Sequence, residues 1–293
     1  MKKIAVALGG GGSKGLAHIG VLKALHQNGI SISAIAGTSI GSIIGAMAAK
    51  GYTPDEMVAL FKEVDQSRLF GVPFSDGPGF LGYRGIKDLL AKVLGEVPFT
   101  DLKIPFSAIS VDLVSDSVVE ISEGSVRDAV LASIAIPGIF PPRYIGDMVL
   151  VDGGVMDPVP VRSARNLQPG IPVLAVSLTG KYRLSQLSPI PMREGNISTI
   201  LVEQFSRTTL SKAFTVMADA VDTTSRQVAE LRLQLDRPDI IIRPKVEKFG
   251  ILDPVNVEEV VSLGYDATMQ QLDTIKKSGN AFFDFYKKLI GEK

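Results

Sequence analysis

Two stretches near the amino terminus decide the fold: IAVALGGGGSKG at residues 4–15 and ISAIAGTSIG at residues 32–41. Each is a short apolar run, the length of a buried strand, that ends in a glycine-containing turn and leads into a helical pattern. Strand, helix and strand within about 35 residues form a right-handed βαβ unit, which brings the carboxyl ends of both strands to the same edge of a sheet. The sequence therefore predicts an α/β protein with two glycine turns side by side.

The remaining chain continues this alternation, which indicates a largely parallel sheet. Strands are expected at residues 4–8, 32–36, 106–111, 118–121, 148–151, 173–177 and 240–242. Helices are expected at residues 15–28, 40–50, 54–65, 85–95, 125–134, 197–222 and 256–277.

Three segments depart from the pattern. Residues 68–85 are rich in Gly, Pro and Phe, and residues 180–196 form a polar connection that contains Pro. Both are predicted to be lid or substrate loops. Residues 276–293 are expected to form an amphipathic helix, which docks on the core or, as the alternative, touches a membrane.

Composition excludes several mechanisms. The 293 residues contain no Cys, two His, and 31 basic side chains balanced by 31 acidic ones. The lack of Cys excludes thiolate nucleophiles and Cys-based zinc sites, and two histidines argue against a multi-histidine metal centre, so neither a metal nor a cofactor is expected. Zero net charge argues against nucleic-acid binding. Residues 1–54 nevertheless carry five Lys and no acid, a bias that favours an anionic ligand or a membrane surface, although a solvated face is commoner.

Two apolar stretches imitate targeting or membrane segments. Residues 4–8 are too short for the apolar part of a signal peptide. Residues 30–49 are uncharged and carry glycines at GxxxG spacing, as in a membrane-spanning helix, but they include several hydroxyl side chains and begin as a strand. We therefore expect a soluble, cytoplasmic protein, with peripheral contact at the inner membrane as a further expectation.

The glycine-rich turn at residues 9–15 opens a helix, so its amides are suited to hold negative charge. A Walker A loop is excluded because Lys14 follows Ser13 and precedes Gly15. The dinucleotide pattern GxGxxG lacks the acid expected about twenty residues later. An oxyanion hole remains, against the alternative of a tight turn, which would not require four consecutive glycines.

The second turn, Gly37-Thr38-Ser39-Ile40-Gly41, has the GxSxG pattern of a nucleophile elbow between a strand and a helix of small residues. The alternative is a serine that caps an ordinary helix. If the two strands are adjacent, they lie roughly 4.8 Å apart, and the amides of Gly10, Gly11 and Gly12 lie within reach of a carbonyl attacked by Ser39.

The base that would activate Ser39 is not an obvious histidine. His18 and His26 both fall in the helix between the two turns and are interpreted as surface or packing residues. Asp152 follows the apolar run at 148–151 and precedes Gly153 and Gly154, which places a carboxylate at the carboxyl end of a strand, where open sheets carry their sites. An Asp-Gly turn is the alternative.

Together these residues resemble the patatin-like phospholipase family. Residues 10–15 are similar to its GGGx[RK]G loop, residues 37–41 to its GxSxG elbow and residues 152–154 to its DGG box. Further similarity lies at 132–142, 240–244 and 264–267, so residues 1–275 are expected to form one patatin-like domain.

The resemblance implies a three-layer α/β/α sandwich and a Ser-Asp dyad that hydrolyses acyl esters of lipids. It makes Ser39 the nucleophile, Asp152 the base and Gly10, Gly11 and Gly12 the oxyanion donors. Lys14 would support the loop or an anionic head group, and Gly37, Gly41, Gly153 and Gly154 would support the two turns.

We therefore expect a serine hydrolase of phospholipid or lysophospholipid esters that works through an acyl-enzyme. An acyltransferase that uses the same elbow and a non-catalytic binder of lipids or anions are the alternatives. The preferred lipid and the oligomeric state stay open.

Overall fold

The computed structural model describes residues 2–66, 69, 77, 79, 81–179 and 209–278. The predicted loop at 180–196 lies outside the described residues, as do most of the loop at 68–85 and residues 279–293 of the predicted terminal helix.

A mixed sheet of eight strands forms the centre of the fold. Five strands run parallel in the order β3-β2-β1-β7-β8, and β6 and β4 both pair antiparallel with β3, while β5 pairs antiparallel with β6. The strands are β1 Lys2–Leu8, β2 Ile30–Thr38, β3 Phe106–Asp112, β4 Ser117–Ile121, β5 Arg143–Ile145, β6 Met148–Asp152, β7 Val173–Val176 and β8 Ile240–Ile242.

The described part of the chain contains eight α-helices and a further helical stretch at residues 272–278, and local sequence explains where several begin. Thr53 and Glu56 form a capping box around the first turn of α3, whose first residue is proline, and Asn256 caps α8. The helices are α1 Ala17–Gln27, α2 Ile40–Lys50, α3 Pro54–Glu63, α4 Arg84–Val93, α5 Val126–Ser133, α6 Val161–Leu167, α7 Thr209–Asp236 and α8 Val257–Gln270.

Side chains alternate between the two faces of β1 and β2, so the sheet is covered on both sides. Large residues such as Val6 and Ile35 belong to the core under the layer that contains α1 and α2. Alanines such as Ala7 and Ala36 belong to a second core with α6 and α7 on the opposite face. The expected arrangement of helices on both faces of a central sheet is confirmed.

Two strands share one edge of β3, and this arrangement positions the site. β2 pairs with β3 in parallel as far as Thr38 opposite Ile109, and β6 pairs with it antiparallel from Asp152 opposite Ser110. Because β4 covers residues 108–112 on the other edge, β2 and β6 must lie end to end, with their carboxyl ends facing each other. Consecutive residues of β3 thus bring Asp152 to the end of β2.

The direction of β6 corrects one step of the sequence analysis. Asp152 was placed by the rule that sites lie at the carboxyl edge of parallel strands, but β6 runs antiparallel to β3 and reaches the site from beyond that edge. A strand's direction depends on its connection, and here the hairpin of β5 and β6 reverses the chain. Asp152 does stand at the carboxyl end of its strand, but that strand is not one of the parallel ones.

Four elements differ from the predicted ones. The helix expected at 197–222 continues to Asp236, because no Gly or Pro interrupts it before Pro238, while residues 197–208 lie outside the described part. β5 and α6 were not predicted, since a strand of three residues and a helix of seven are too short for a clear period. α4 begins at Arg84, one residue before the predicted start of the helix at 85–95, and it ends at Val93.

The uncharged stretch at 30–49 is divided between β2 and the first ten residues of α2, so it does not form one membrane-spanning helix. Across the described ranges, every helix is too short or too polar to cross a bilayer.

Helices α1 and α8 pack with their backbones in close approach. A Cβ at Gly264 of α8 would overlap the carbonyl oxygen of Ala17, and one at Gly20 of α1 would overlap the carbonyl oxygen of Val261. Small residues are therefore required on both helices, which gives a packing reason for Gly264 in the segment at 264–267.

Replacing Gly264 by Ala tests this contact. Alanine improves helix propensity by about 1 kcal/mol, but forcing two packed backbones apart costs more, so we expect a net loss of about 2 kcal/mol in the free energy of unfolding. The control is Asp266→Ala on the exposed side of α8, which should change stability by less than about 0.5 kcal/mol. Urea unfolding measures both, and a Gly264→Ala protein as stable as the wild type would contradict the packing argument.

Candidate active site

Ser39 occupies a strained turn between β2 and α2. Its φ of 54° and ψ of −127° lie in a region that L-residues rarely adopt. A Cβ at Gly37 would overlap the carbonyl of Gly41, and one at Gly41 would overlap the carbonyl of Leu8. Both glycines are thus required by close backbone approach. Ser39 stands at the N-cap of α2, but its side chain forms no capping hydrogen bond, so the interpretation as an ordinary helix cap is wrong.

Ser133, at the end of α5, holds the backbone of this turn. Its hydroxyl donates to the carbonyl of Ile109 (2.6 Å) and accepts from the amide of Ser39 (3.0 Å). The residue is fully buried. Because that amide is engaged by Ser133, an oxyanion hole beside Ser39 requires other donors. Sequence reasoning missed this residue, although it lies in the segment at 132–142 that carries the resemblance.

Asp152 lies beside Ser39 in a buried position. Oδ1 accepts a hydrogen bond from the amide of Gly154 (2.7 Å), while Oδ2 is buried without a hydrogen-bond partner among the described residues. Burial raises the pKa of the carboxyl group to about 6, and the Ser39 hydroxyl and the Gly154 amide oppose that rise. The Ser39 hydroxyl is therefore close enough to the carboxylate to lower its pKa, although no hydrogen bond of ordinary geometry reaches Oδ2.

Gly153 explains why the turn after Asp152 needs glycine. A Cβ there would overlap the carbonyl oxygen of Ile109, the same carbonyl that accepts from Ser133. The backbone of β3 is thus in contact with the supports of both Ser39 and Asp152.

The glycine loop is held at its two ends. The Gly9 amide donates to Val176 O (3.0 Å) and the Gly10 amide to Pro158 O (2.9 Å), while the Ser13 amide donates to Ile251 O (2.9 Å). This corrects the expectation for Gly10, whose N–H is already engaged and is therefore poorly placed to serve as an oxyanion donor.

Gly11 and Gly12 form the middle of the loop. Within the described residues, neither amide donates a hydrogen bond. Gly11 has φ 156°, Gly12 has φ 59°, and a Cβ at Gly12 would overlap the carbonyl of Ile251. Their conformations and close contacts explain the glycines better than a simple tight turn does.

A cleft that carries charged and hydroxyl side chains among apolar ones, which we call the polar cleft, opens next to Ser39. It holds about 570 Å³, including the part open to solvent, and α7 forms one wall. Lys14 lines it and is only 4% exposed, and its ammonium group forms no hydrogen bond or ion pair within the described residues. Burial lowers the pKa of Lys14, against the nearby charges of Asp222, Asp253 and Glu247, and Arg226 adds to the lowering. The contribution of α7 could not be read from motifs, since it comes from Val221, Asp222 and Ser225 in a segment without one.

An apolar pocket of about 830 Å³ meets the cleft at Ser39. Ser39, Gly12, Ile136 and Ile251 line both spaces, so the serine stands where they join. The walls of the pocket come mainly from aliphatic and aromatic side chains of α2, α3 and α4 and of the segments before α1 and after α5, among them Leu16, Ile43, Phe61, Ile86, Leu89 and Phe140.

The two histidines lie away from this junction. His26 is exposed on α1, and His18 is buried with Nε2 2.7 Å from the carbonyl oxygen of Gly9. His18 is thus a packing residue, as one of the two interpretations expected. Among the described residues, no group of His, Asp and Glu is arranged to hold a metal ion.

Ser39 thus has the strained strand-to-helix turn of a nucleophile elbow, as found in α/β hydrolases. The buried carboxylate of Asp152 lies beside it, and β3 contacts the supports of both residues.

The chain belongs to the patatin-like phospholipase family, whose sequence model matches residues 6–165. It is 34% identical over 218 residues to an uncharacterized NTE family protein of Mycobacterium tuberculosis, which covers 74% of this chain and 59% of that protein. It is 29% identical over 168 residues to lysophospholipase NTE1 of Candida albicans, which covers 55% of this chain and 12% of that protein. The chain thus spans less than two thirds of these relatives. Among solved structures it is similar to VipD from Legionella pneumophila, with a TM-score of 0.49, 13% identity, and coverage of 93% of this chain and 67% of VipD.

Asp152→Asn tests the electrostatic cost of the buried carboxylate. Because the folded-state pKa of about 6 exceeds the unfolded value near 4, the native state binds the proton more tightly, and stability falls as pH rises through this window. A shift of about two units corresponds to about 3 kcal/mol. We expect Asp152→Asn to have a larger free energy of unfolding than the wild type at pH 8, and we expect this difference to disappear toward pH 4.

Urea unfolding at several pH values measures this difference. Asp266→Asn, which removes an exposed carboxylate from α8, is the control and should show no comparable pH dependence. An Asp152→Asn protein no more stable than the wild type at pH 8 would contradict the assigned pKa.

Proposed function

We propose that this protein is a serine hydrolase of lipid acyl esters, with Ser39 as nucleophile and Asp152 as base. The observation that carries the proposal is the position of Ser39: it lies beside a buried carboxylate whose Oδ2 has no partner among the described residues, at the junction of a polar cleft and an apolar pocket. Membership of the patatin-like phospholipase family supports the same activity.

In the proposed reaction, Oδ2 of Asp152 takes the proton of the Ser39 hydroxyl as its oxygen attacks the ester carbonyl. The tetrahedral intermediate then collapses, the bond to the alcohol oxygen breaks, and Asp152 returns the proton to that oxygen. Water, deprotonated in turn by Asp152, attacks the acyl carbon; the bond from that carbon to Ser39 Oγ then breaks, Asp152 returns the proton to Oγ, and the fatty acid leaves. A base whose pKa lies near 6 is ionised at neutral pH and remains basic enough to share the proton.

The negative charge of the tetrahedral intermediate is assigned to the amides of Gly11 and Gly12. They lie in the loop that lines the cleft beside Ser39, and neither donates a hydrogen bond within the described part of the chain. A single donor of this kind contributes roughly 3 to 4 kcal/mol to the transition state. The amide of Ser39 is excluded from this role because it donates to Ser133.

The two spaces at Ser39 suggest how the substrate lies. The acyl chain occupies the apolar pocket, where each buried methylene contributes about 0.8 kcal/mol, and the alcohol part occupies the polar cleft. Lys14 lines the cleft and supplies positive charge for an anionic head group or support for the loop. Esters of phospholipids or lysophospholipids, including the class named for the Candida albicans relative, fit this division.

Two alternatives share these features. An acyltransferase would form the same acyl-enzyme and pass the acyl group to an acceptor other than water. A non-catalytic binder would use the loop amides and Lys14 to hold a lipid or an anion without reaction at Ser39. The strained conformation of Ser39 favours an enzyme over a binder. A cytoplasmic location with peripheral membrane contact belongs to the same proposal, since a lipid substrate would be met at a membrane.

Labelling with a fluorophosphonate tests the nucleophile and the base together. We expect covalent labelling of the wild type, none of Ser39→Ala, and a rate that rises with pH through about 6 as Asp152 loses its proton. Asp152→Asn should label at least about a hundredfold more slowly, by analogy with the loss of general-base catalysis. Ser42→Ala, which changes a neighbouring buried serine, controls for labelling elsewhere.

Mass spectrometry of the labelled peptide and turnover of a lysophospholipid complete this test. Labelling at Ser39 without turnover, but with transfer of the acyl group to an added alcohol, would favour the acyltransferase. Labelling that survives in Ser39→Ala, or equal rates for Asp152→Asn and the wild type, would contradict the dyad.

A larger side chain in the apolar pocket tests where the acyl chain lies. Leu89 of α4 lines the pocket, and Leu89→Trp should fill part of it. We expect hydrolysis of sixteen-carbon esters to fall at least about tenfold, while four-carbon esters change less than about twofold, because only the long chain reaches the new side chain. The control is Leu231→Trp on the exposed side of α7. Equal losses for short and long esters would place the acyl chain elsewhere.

A further inference from the structure

We propose that His18 is a positioning residue whose ring fixes the Gly9–Gly10 peptide and thereby holds the amides of Gly11 and Gly12 at the reacting carbonyl. The proposal rests on the proposed function, since it assigns these amides to the oxyanion. It gives the ring a role other than that of a base.

The hydrogen bond of His18 defines the state of its ring. Nε2 lies 2.7 Å from the carbonyl oxygen of Gly9. A carbonyl oxygen only accepts, so Nε2 carries the proton and donates. Burial lowers the pKa of His18 to about 4, against the Gly9 carbonyl, which raises it. The ring is therefore neutral at neutral pH, and its one proton is used in this contact.

Three hydrogen bonds fix the Gly9–Gly10 peptide unit and the Leu8–Gly9 peptide unit that precedes it. The Gly9 carbonyl accepts from His18, the Gly10 amide donates to Pro158 O, and the Gly9 amide donates to Val176 O. Both polar groups of one peptide unit are thus engaged on opposite sides. Of the three partners, His18 is the only one contributed by a side chain, which makes it the contact that a substitution removes.

Glycine makes this support necessary. Residues 9–12 are four consecutive glycines, which cross into positive φ at almost no steric cost. Without a donor for the Gly9 carbonyl, rotation of this peptide is opposed mainly by the bond from Gly10 to Pro158. Gly11 and Gly12 follow directly, so such a rotation moves both proposed oxyanion donors.

The Gly9 carbonyl also lies against the elbow. A Cβ at Gly41 would stand 2.8 Å from this oxygen, so the first turn of α2 packs on the atom that His18 holds. His18 thus fixes the glycine loop relative to the helix that begins just after Ser39.

The environment of the ring argues against a base. His18 is fully buried and is absent from the residues that line the cleft or the apolar pocket. Its Nδ1 has no hydrogen-bond partner within the described ranges, and a buried polar group without a partner is destabilising. An aliphatic side chain would avoid that cost, so the donor at Nε2 is what histidine adds.

The test compares His18→Leu, which removes the donor, with His18→Gln, which keeps an N–H donor on a side chain of similar reach. The matched control is His26→Leu, which changes the exposed histidine of the same helix. For each protein we would measure kcat and KM for an acyl ester and inhibition by a long-chain alkyl trifluoromethyl ketone, whose adduct with serine carries an oxyanion. Amide hydrogen exchange of residues 9–12 gives a readout independent of activity.

We expect His18→Leu to lower kcat about tenfold or more, less than the hundredfold or greater effect of deleting a donor outright, with KM within about twofold. The affinity for the trifluoromethyl ketone should fall by the same factor, and amide exchange at residues 9–12 should rise. His18→Gln should recover most of the rate, and His26→Leu should match the wild type. The pH midpoint of turnover should not move in any of these variants.

Two results would overturn the proposal. A His18→Leu protein with unchanged kcat, inhibitor affinity and amide exchange would show that the loop holds its shape without the ring. A His18→Gln protein with residual turnover at a shifted pH midpoint would make His18 a titrating participant instead. If the wild type does not hydrolyse esters at all, the proposed function fails by itself, and amide exchange still decides whether His18 fixes the loop.

Discussion

The meeting of β2 and β6 on one edge of β3 is the constraint on which the rest of the site depends. β2 ends at the residue opposite Ile109, and β6, which runs in the opposite direction, ends at the residue opposite Ser110. The chain therefore has to leave the sheet at this point twice, once into α2 and once into the turn after Asp152. The side chains proposed as nucleophile and base are far apart in sequence, and they become neighbours because both strands pair with the same edge of β3.

Several features of the site are unfavourable for stability and are kept in place by their neighbours. A non-glycine residue at positive φ costs of order 1 to 3 kcal/mol, and the raised pKa of Asp152 corresponds to about 3 kcal/mol at neutral pH. Ser133 offsets part of this by bonding both Ile109 and Ser39, and close backbone contacts at Gly37 and Gly153 leave no room for the turns to relax. The carboxylate is thus basic for the same reason that it is destabilising: it has been removed from water.

The sequence predicted the parts of this arrangement that local patterns encode. The glycine turn, the elbow and the DGG turn are short motifs that can be recognised without knowing where their strands lie in the sheet. Ser39 and Asp152 could therefore be chosen as candidates before their proximity was known. The direction of β6 relative to β3 and the hydrogen bond from Gly10 to Pro158 could not be predicted, because both depend on partners that are distant in the chain. Ser133 and the wall formed by α7 belong to the same class: a lone serine and a helix without a motif acquire their roles only from packing.

The position of Ser39 between two unlike spaces bears on the order of events in the proposed reaction. An acyl chain in the apolar pocket stays buried when the ester bond breaks, whereas the alcohol leaves through the polar cleft, which is open to solvent. The space vacated by the alcohol is then the route by which the second nucleophile reaches the acyl-enzyme. Because Asp152 has just given its proton to the alcohol, its carboxylate is ready to accept a proton from that nucleophile. Water is small enough to enter whatever remains of the cleft, while a larger acceptor has to fit against Lys14 and α7. The geometry of the cleft, rather than the elbow or the dyad, therefore decides between hydrolysis and transfer.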